Sequence, residues 1–318
     1  MTSPGRSVHD GNMTSHVVTI SGEALLRPLG FRQRVAQYAG LEVHYLEGRG
    51  RGGPDLVFLH GLGDRNSTWH RVLWRLRLGA WGRIVCPDLV GFGRTCLPSG
   101  RAMPSMDEGM EIMSGALASL GVDQPIIVGN SLGAWLGWRM LERYPDLISG
   151  CLMLAPGGFM TEPELRQLVG RFLAGDHAEM THAIIGDARP EMMFFARRII
   201  GAMLDNPLLQ TVCRQDSSHL LYRAGDLEAV AGRARCLWGE LDTLMPASGV
   251  EMLRSALGEG LVMERVGHAP QQTRPGLVAR ELGRLREQLK RTRRADRDAE
   301  RVHRPGERAA ALEPTSPA

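Results

Sequence analysis

No apolar stretch in this 318-residue chain approaches the ~20 residues of a membrane-spanning helix, so no stable membrane association is expected. Residues 1–12 are polar and lack a continuous apolar run, so no secretory leader is expected there. The formal net charge of +3 is close to neutral for this length and gives no strong field for nucleic acid. Lysine is nearly missing: Lys290 is the only one, and the other basic residues are arginines, a compositional bias and not a mechanism. The five cysteines are an odd number without metal-ligand spacing, so neither a disulfide framework nor a metal site is expected. Cys86, Cys151 and Cys236 lie inside apolar, strand-like runs, as buried free thiols do. These absences together point to a soluble protein in a reducing, cytoplasmic setting.

What is present is a 43% apolar chain, long enough for one large α/β domain with an insertion. Residues 35–38 and 41–46 predict a hairpin around Ala39-Gly40. Short apolar runs at 56–59, 84–86, 125–128, 152–154, 236–238 and 262–266 predict strands. Helical patterns at 69–78, 106–120 and 275–290 alternate with them. Such alternation predicts a mostly parallel central sheet covered by helices on both faces. Residues 159–230 interrupt it with helical stretches at 164–173, 192–204 and 207–213, expected to form a helical cap inserted between two strands. The expected organisation is thus a poorly patterned segment 1–30, a core of 31–158 and 231–290, the cap, and a tail 291–318. That tail mixes arginine with acids, Ala and Pro without an apolar period and is expected to be disordered.

One pentapeptide stands out. Gly129-Asn130-Ser131-Leu132-Gly133 follows an apolar strand and precedes a helical run. Strand, tight turn and helix is the context of a nucleophile elbow, in which a strained turn lifts the serine hydroxyl clear of the sheet. A serine hydroxyl needs an adjacent base, and the base needs a group that orients it and stabilises its cation. Asp242 follows the strand at 236–238, and His268 follows the strand at 262–266. All three candidates therefore fall after strand C-termini, which share one edge of a parallel sheet. The backbone N–H groups of Leu132 and Leu62 are the candidate oxyanion donors, and losing one such donor costs roughly 3 kcal/mol in comparable sites.

Competing roles attach to neighbouring residues. Glu240 is the nearest alternative to Asp242, and Asp242 is also placed to act as a helix N-cap near Pro246 while orienting His268. Asp88 and His60 are expected to brace their own turns. His44, His70, His177, His182 and His219 lack partner motifs, and surface or packing roles are expected, with His182 and His219 as candidates to line the cap.

Five motifs in order carry a resemblance: His60-Gly61-Leu62-Gly63, the 87–93 turn around Asp88, Gly91 and Gly93, the 129–133 elbow, Trp238-Gly239 with Asp242 and Pro246, and Gly267-His268. Over roughly residues 31–290 the chain resembles the α/β-hydrolase family. The resemblance implies Ser131 as nucleophile, His268 as base and Asp242 as acid, with no metal or organic cofactor. Relatives that open epoxides or displace halide place Asp at the elbow, so Ser131 implies acyl transfer to water. Hydrolysis of a carboxylic ester of a small, largely apolar substrate is the first expectation.

Carbon–carbon hydrolysis is the alternative, because Gly129-Asn130-Ser131 and Ala155-Pro156-Gly157-Gly158 resemble the meta-cleavage-product hydrolases. Those carry a Trp after the catalytic His, where this chain has Ala269. His268-Ala269-Pro270 is closer to small-ester hydrolases, including those that act on a pimeloyl carrier-protein ester. Acids outnumber Arg189, Arg197, Arg198 and Arg214 in the cap, so a carrier protein as partner is left open. An acyltransferase and a non-catalytic ligand-binding scaffold complete the alternatives.

Overall fold

The computed structural model describes residues 22–186, 190–216, 218–223 and 225–302. Eight strands form one sheet: β1 (Arg32–Tyr38), β2 (Leu41–Arg49), β3 (Leu56–Leu59), β4 (Arg83–Pro87), β5 (Ile126–Asn130), β6 (Gly150–Leu154), β7 (Ala234–Gly239) and β8 (Leu261–Glu264). Their order is β1-β2-β4-β3-β5-β6-β7-β8. The β1–β2 and β2–β4 pairs are antiparallel, and every later pair is parallel. The strand order reverses direction at β3, which lies between β4 and β5. In an open α/β sheet, the crevice at the carboxyl ends of such strands is where ligands bind.

The period of two along the strands divides the core between the two faces. Val57, Val85, Ile127, Met153 and Cys236 face one cluster, and Phe58, Ile84, Val128, Leu152 and Leu237 face the other. Helices that the described residues form are, in chain order, α1 (His70–Leu73), α2 (Met106–Ser119), α3 (Leu132–Arg143), α4 (Glu162–Ala174), α5 (His177–Ile185), α6 (Pro190–Leu204), α7 (Pro207–Cys213), α8 (Ser248–Leu257), α9 (Pro270–Thr273) and α10 (Pro275–Val302), besides a helical turn at 22–26. Side chains of α2, α3 and α8 fill the first face. Val278, Leu282, Leu285 and Leu289 of α10 cover the second at the spacing of a single helical stripe. The start of α2 is locked by a capping box, with Ser105 Oγ accepting from Glu108 N and Glu108 Oε2 accepting from Ser105 N.

Two expected boundaries are corrected. The helix predicted at 69–78 is reduced to α1 and flanking 3-10 turns, because the chain must return within a few residues to enter β4. The helix expected to end at Lys290 runs on to Val302, and no Pro or Gly interrupts residues 291–302. Arg293 also donates to Ser149 Oγ at 2.6 Å, holding that part of α10 on the core. The rest of the expected tail, 303–318, lies outside the described residues, as does most of the segment 1–30. Between β6 and β7 the described residues contain helices and no strand, and α5 is a helix that the sequence patterns miss. No helix among the described residues is long and apolar enough to cross a membrane.

Candidate active site

Ser131 occupies the junction of β5 and α3 with φ 52° and ψ −113°. A non-glycine residue held there costs roughly 1–3 kcal/mol and persists only where its surroundings enforce it. Here the enforcement is backbone pairing to β6 and the loop after it: Ser131 N donates to Leu154 O at 2.9 Å, and Gly157 N donates to Ser131 O at 3.2 Å. The five residues of β5 are buried, whereas Ser131 is partly exposed. The flanking glycines are a steric requirement. A Cβ on Gly129 would fall on the Gly133 carbonyl, and one on Gly133 would fall on the Leu59 carbonyl. Backbone atoms of a central strand cannot yield, so Gly133→Ala is expected to lose about 1–3 kcal/mol of stability. Denaturant unfolding measures this, and a loss below about 0.5 kcal/mol, the scale of an ordinary surface substitution, would show that the elbow has slack.

Asp242 and His268 meet directly. His268 Nδ1 donates to Asp242 Oδ2 at 2.8 Å, and their side chains are 5% and 0% exposed. The other oxygen, Oδ1, accepts from Leu244 N at 2.8 Å and Met245 N at 3.0 Å. One carboxylate thus caps its own turn and orients the imidazole, leaving Nε2 to accept a proton. The loops are laced together, since Glu240 N donates to Glu264 O and Leu241 N donates to Val266 O. Glu240 is exposed.

His268 is tied to the elbow through Asn130, which donates to His268 O at 3.0 Å and to Leu154 O at 3.2 Å. Asn130 Oδ1 accepts from Gln271 Nε2 at 2.9 Å. Asn130 and Gln271 are 4% and 1% exposed. Sequence patterns did not mark this pair, and the available signal was a polar residue next to each motif member. Ser131 Oγ forms no hydrogen bond among the described residues, and catalytic contacts of this kind commonly tighten only around substrate.

The 60–63 turn runs beside the elbow: a Cβ on Gly61 would lie 3.5 Å from Ser131 Cβ. Leu62 and Leu132 are both partly exposed, and Leu132 opens α3, whose N-terminus favours negative charge. His60 braces the turn. Its Nε2 accepts from Leu89 N at 2.9 Å, which assigns the proton to Nδ1, 2.8 Å from Gly61 O. Asp88 Oδ1 accepts from Asn66 N at 2.6 Å and Oδ2 from Arg94 N at 2.9 Å, joining the loops after β3 and β4. Burial pushes the Asp88 carboxyl above the usual carboxylate range, against the lowering pull of those two N–H groups. No cluster of three or more His, Cys, Asp or Glu suited to a metal occurs among the described residues.

Epoxide hydrolase 2 of Siraitia grosvenorii is 31% identical over 126 residues, 39% of this chain and 39% of that protein. The pimeloyl-acyl-carrier-protein methyl ester esterase of Aeromonas hydrophila is 23% identical over 238 residues, 69% of this chain and 89% of the esterase. Among solved structures, the 2-hydroxy-6-oxo-6-phenylhexa-2,4-dienoate hydrolase of Rhodococcus superposes with a TM-score of 0.66. It is 19% identical and covers 80% of this chain and 98% of that one, a likeness of fold. The model of the alpha/beta hydrolase family matches residues 56–281. That span runs from β3, through the elbow and both loops, into α10, and it carries the conclusion that this chain is a member of the alpha/beta hydrolase family.

Proposed function

We propose that this hydrolase cleaves a carboxylic ester of a small, largely apolar substrate through Ser131, His268 and Asp242. The observation that carries the reading is the buried 2.8 Å Asp242–His268 hydrogen bond on the sheet edge that also presents a strained Ser131. Asp242 fixes the proton on Nδ1, so Nε2 is the base that takes the Ser131 proton as Oγ attacks the carbonyl carbon. The N–H groups of Leu62 and Leu132 receive the oxyanion. His268 then returns its proton to the departing alkoxide, leaving an acyl group on Ser131. Water activated by the same imidazole releases the acid and restores the hydroxyl.

A serine at position 131, in place of the aspartate expected of epoxide-opening relatives, supports acyl chemistry. Helices α4 to α7 act as a cap, and Met203 and Leu209 approaching Gly63 give it an apolar underside. The residues named supply base, acid and oxyanion donors, so no step calls for a cofactor. Five unpaired thiols accord with a reducing, cytoplasmic compartment.

The test is a chain-length series of p-nitrophenyl esters with the purified protein, alongside labelling by a fluorophosphonate mapped by mass spectrometry. Turnover peaking at one acyl length, with the label on Ser131, is expected. No turnover and no labelled serine would leave a binding scaffold as the better description.

A further inference from the structure

The helical insertion meets the core differently on its two sides. Beside the acid and base it is hydrogen-bonded. Arg171 Nη1 donates to Thr243 O at 2.7 Å, Ser248 Oγ donates to Glu164 Oε2 at 2.8 Å, and Ala269 N donates to Ile184 O at 3.1 Å. These bonds hold α4 and α5 to the loops that carry Asp242 and His268. His177 Nε2, 3.0 Å from Asp205 Oδ1, links α5 to the residue after α6. Above the 60–63 turn the contact is apolar. Gly63 has φ 73°, and a Cβ there would overlap Met203 Cγ, 2.9 Å from Met203 Sδ and 3.1 Å from Leu209 Cδ1. The absent glycine side chain is the space that Met203 fills.

We propose that Met203 is a specificity-determining residue that closes the far end of the acyl-binding space. This rests on the ester-hydrolase reading. In this reading a carbonyl bonded to Ser131 has its oxygen at the Leu62 N–H and so sits beside the 61–63 turn, where a Cβ on Gly61 would lie 3.5 Å from Ser131 Cβ and Met203 is seated two residues further on, over Gly63. Because the hydrogen bonds on the other side fix the height of the insertion, the length of the residue-203 side chain decides how long an acyl chain fits. Methionine carries three heavy atoms beyond Cβ and is unbranched, so truncation at Cβ opens room for about three methylene-sized units.

The experiment compares wild type, Met203→Ala and Met203→Leu across the same p-nitrophenyl ester series. Met203→Ala is expected to move the optimal acyl length up by about two or three carbons and to lower kcat/KM for the shortest esters about tenfold. Met203→Leu, of similar volume, is expected to keep the wild-type optimum. General destabilisation lowers all rates together and leaves their rank order alone, so the rank order is the readout. An unchanged order in Met203→Ala, or an equal shift in Met203→Leu, overturns the assignment while the ester reading stands. A wild-type protein inactive on every ester overturns both.

Discussion

Ser131→Ala is expected to lower ester turnover roughly 10⁶-fold, the loss that follows removal of the nucleophile from comparable serine hydrolases. The fold should not change. The substitution deletes one partly exposed hydroxyl, and the backbone bonds from Ser131 N to Leu154 O and from Gly157 N to Ser131 O are independent of the side chain. Alanine already holds a positive φ elsewhere in the chain, at Ala155 with φ 44°. Thermal unfolding should therefore coincide with wild type to within about 0.5 kcal/mol. Rates on the best p-nitrophenyl ester, measured beside the unfolding curve, decide the matter. A variant within tenfold of wild type would remove Ser131 from the mechanism.

Asp242→Asn should reduce kcat about 10⁴-fold, for a reason that concerns the base and not the fold. An asparagine oxygen can still accept from Leu244 N and Met245 N, so the turn survives. The other branch becomes an NH₂ facing His268 Nδ1, where the wild-type carboxylate oxygen accepts at 2.8 Å. Two donors cannot share that hydrogen bond, so the imidazole adopts the opposite tautomer. Its Nε2 then carries the proton and cannot take another from Ser131. Glu240→Gln is the control: Glu240 is exposed and its backbone N–H to Glu264 O is untouched, so near-wild-type turnover is expected. If Glu240→Gln were the damaging change and Asp242→Asn the mild one, the acid would have been misassigned.

Much of the site could be read from local signals. The β5 strand, the elbow glycines and the α3 helix are contiguous, so the steric demands of one short segment are written in one short segment. Asp242 and His268 are legible as candidates because each follows an apolar strand, and a parallel sheet brings such positions to one edge. The elements read less well were those whose form depends on contacts elsewhere. Helix α1 is short because the chain must re-enter the sheet at β4, and α10 continues past Lys290 as Arg293 reaches Ser149. Helix α5 carries Met180, Ala183 and Ile185 inward with His177 and Glu179 outward, a pattern too brief for periodicity to separate from a loop.

Apolar runs, turn residues and motif order were sufficient for the fold class and for the identities of the candidate serine, acid and base. Each rests on backbone preferences and periodicities that act within a few residues. The pairing of Asp242 with His268, the relay from Gln271 through Asn130 to the His268 carbonyl, and the seating of Met203 on Gly63 had no such local code. They join residues separated by up to 141 positions, and they exist because sheet order, register and the tethering of the helical insertion bring those side chains within contact distance.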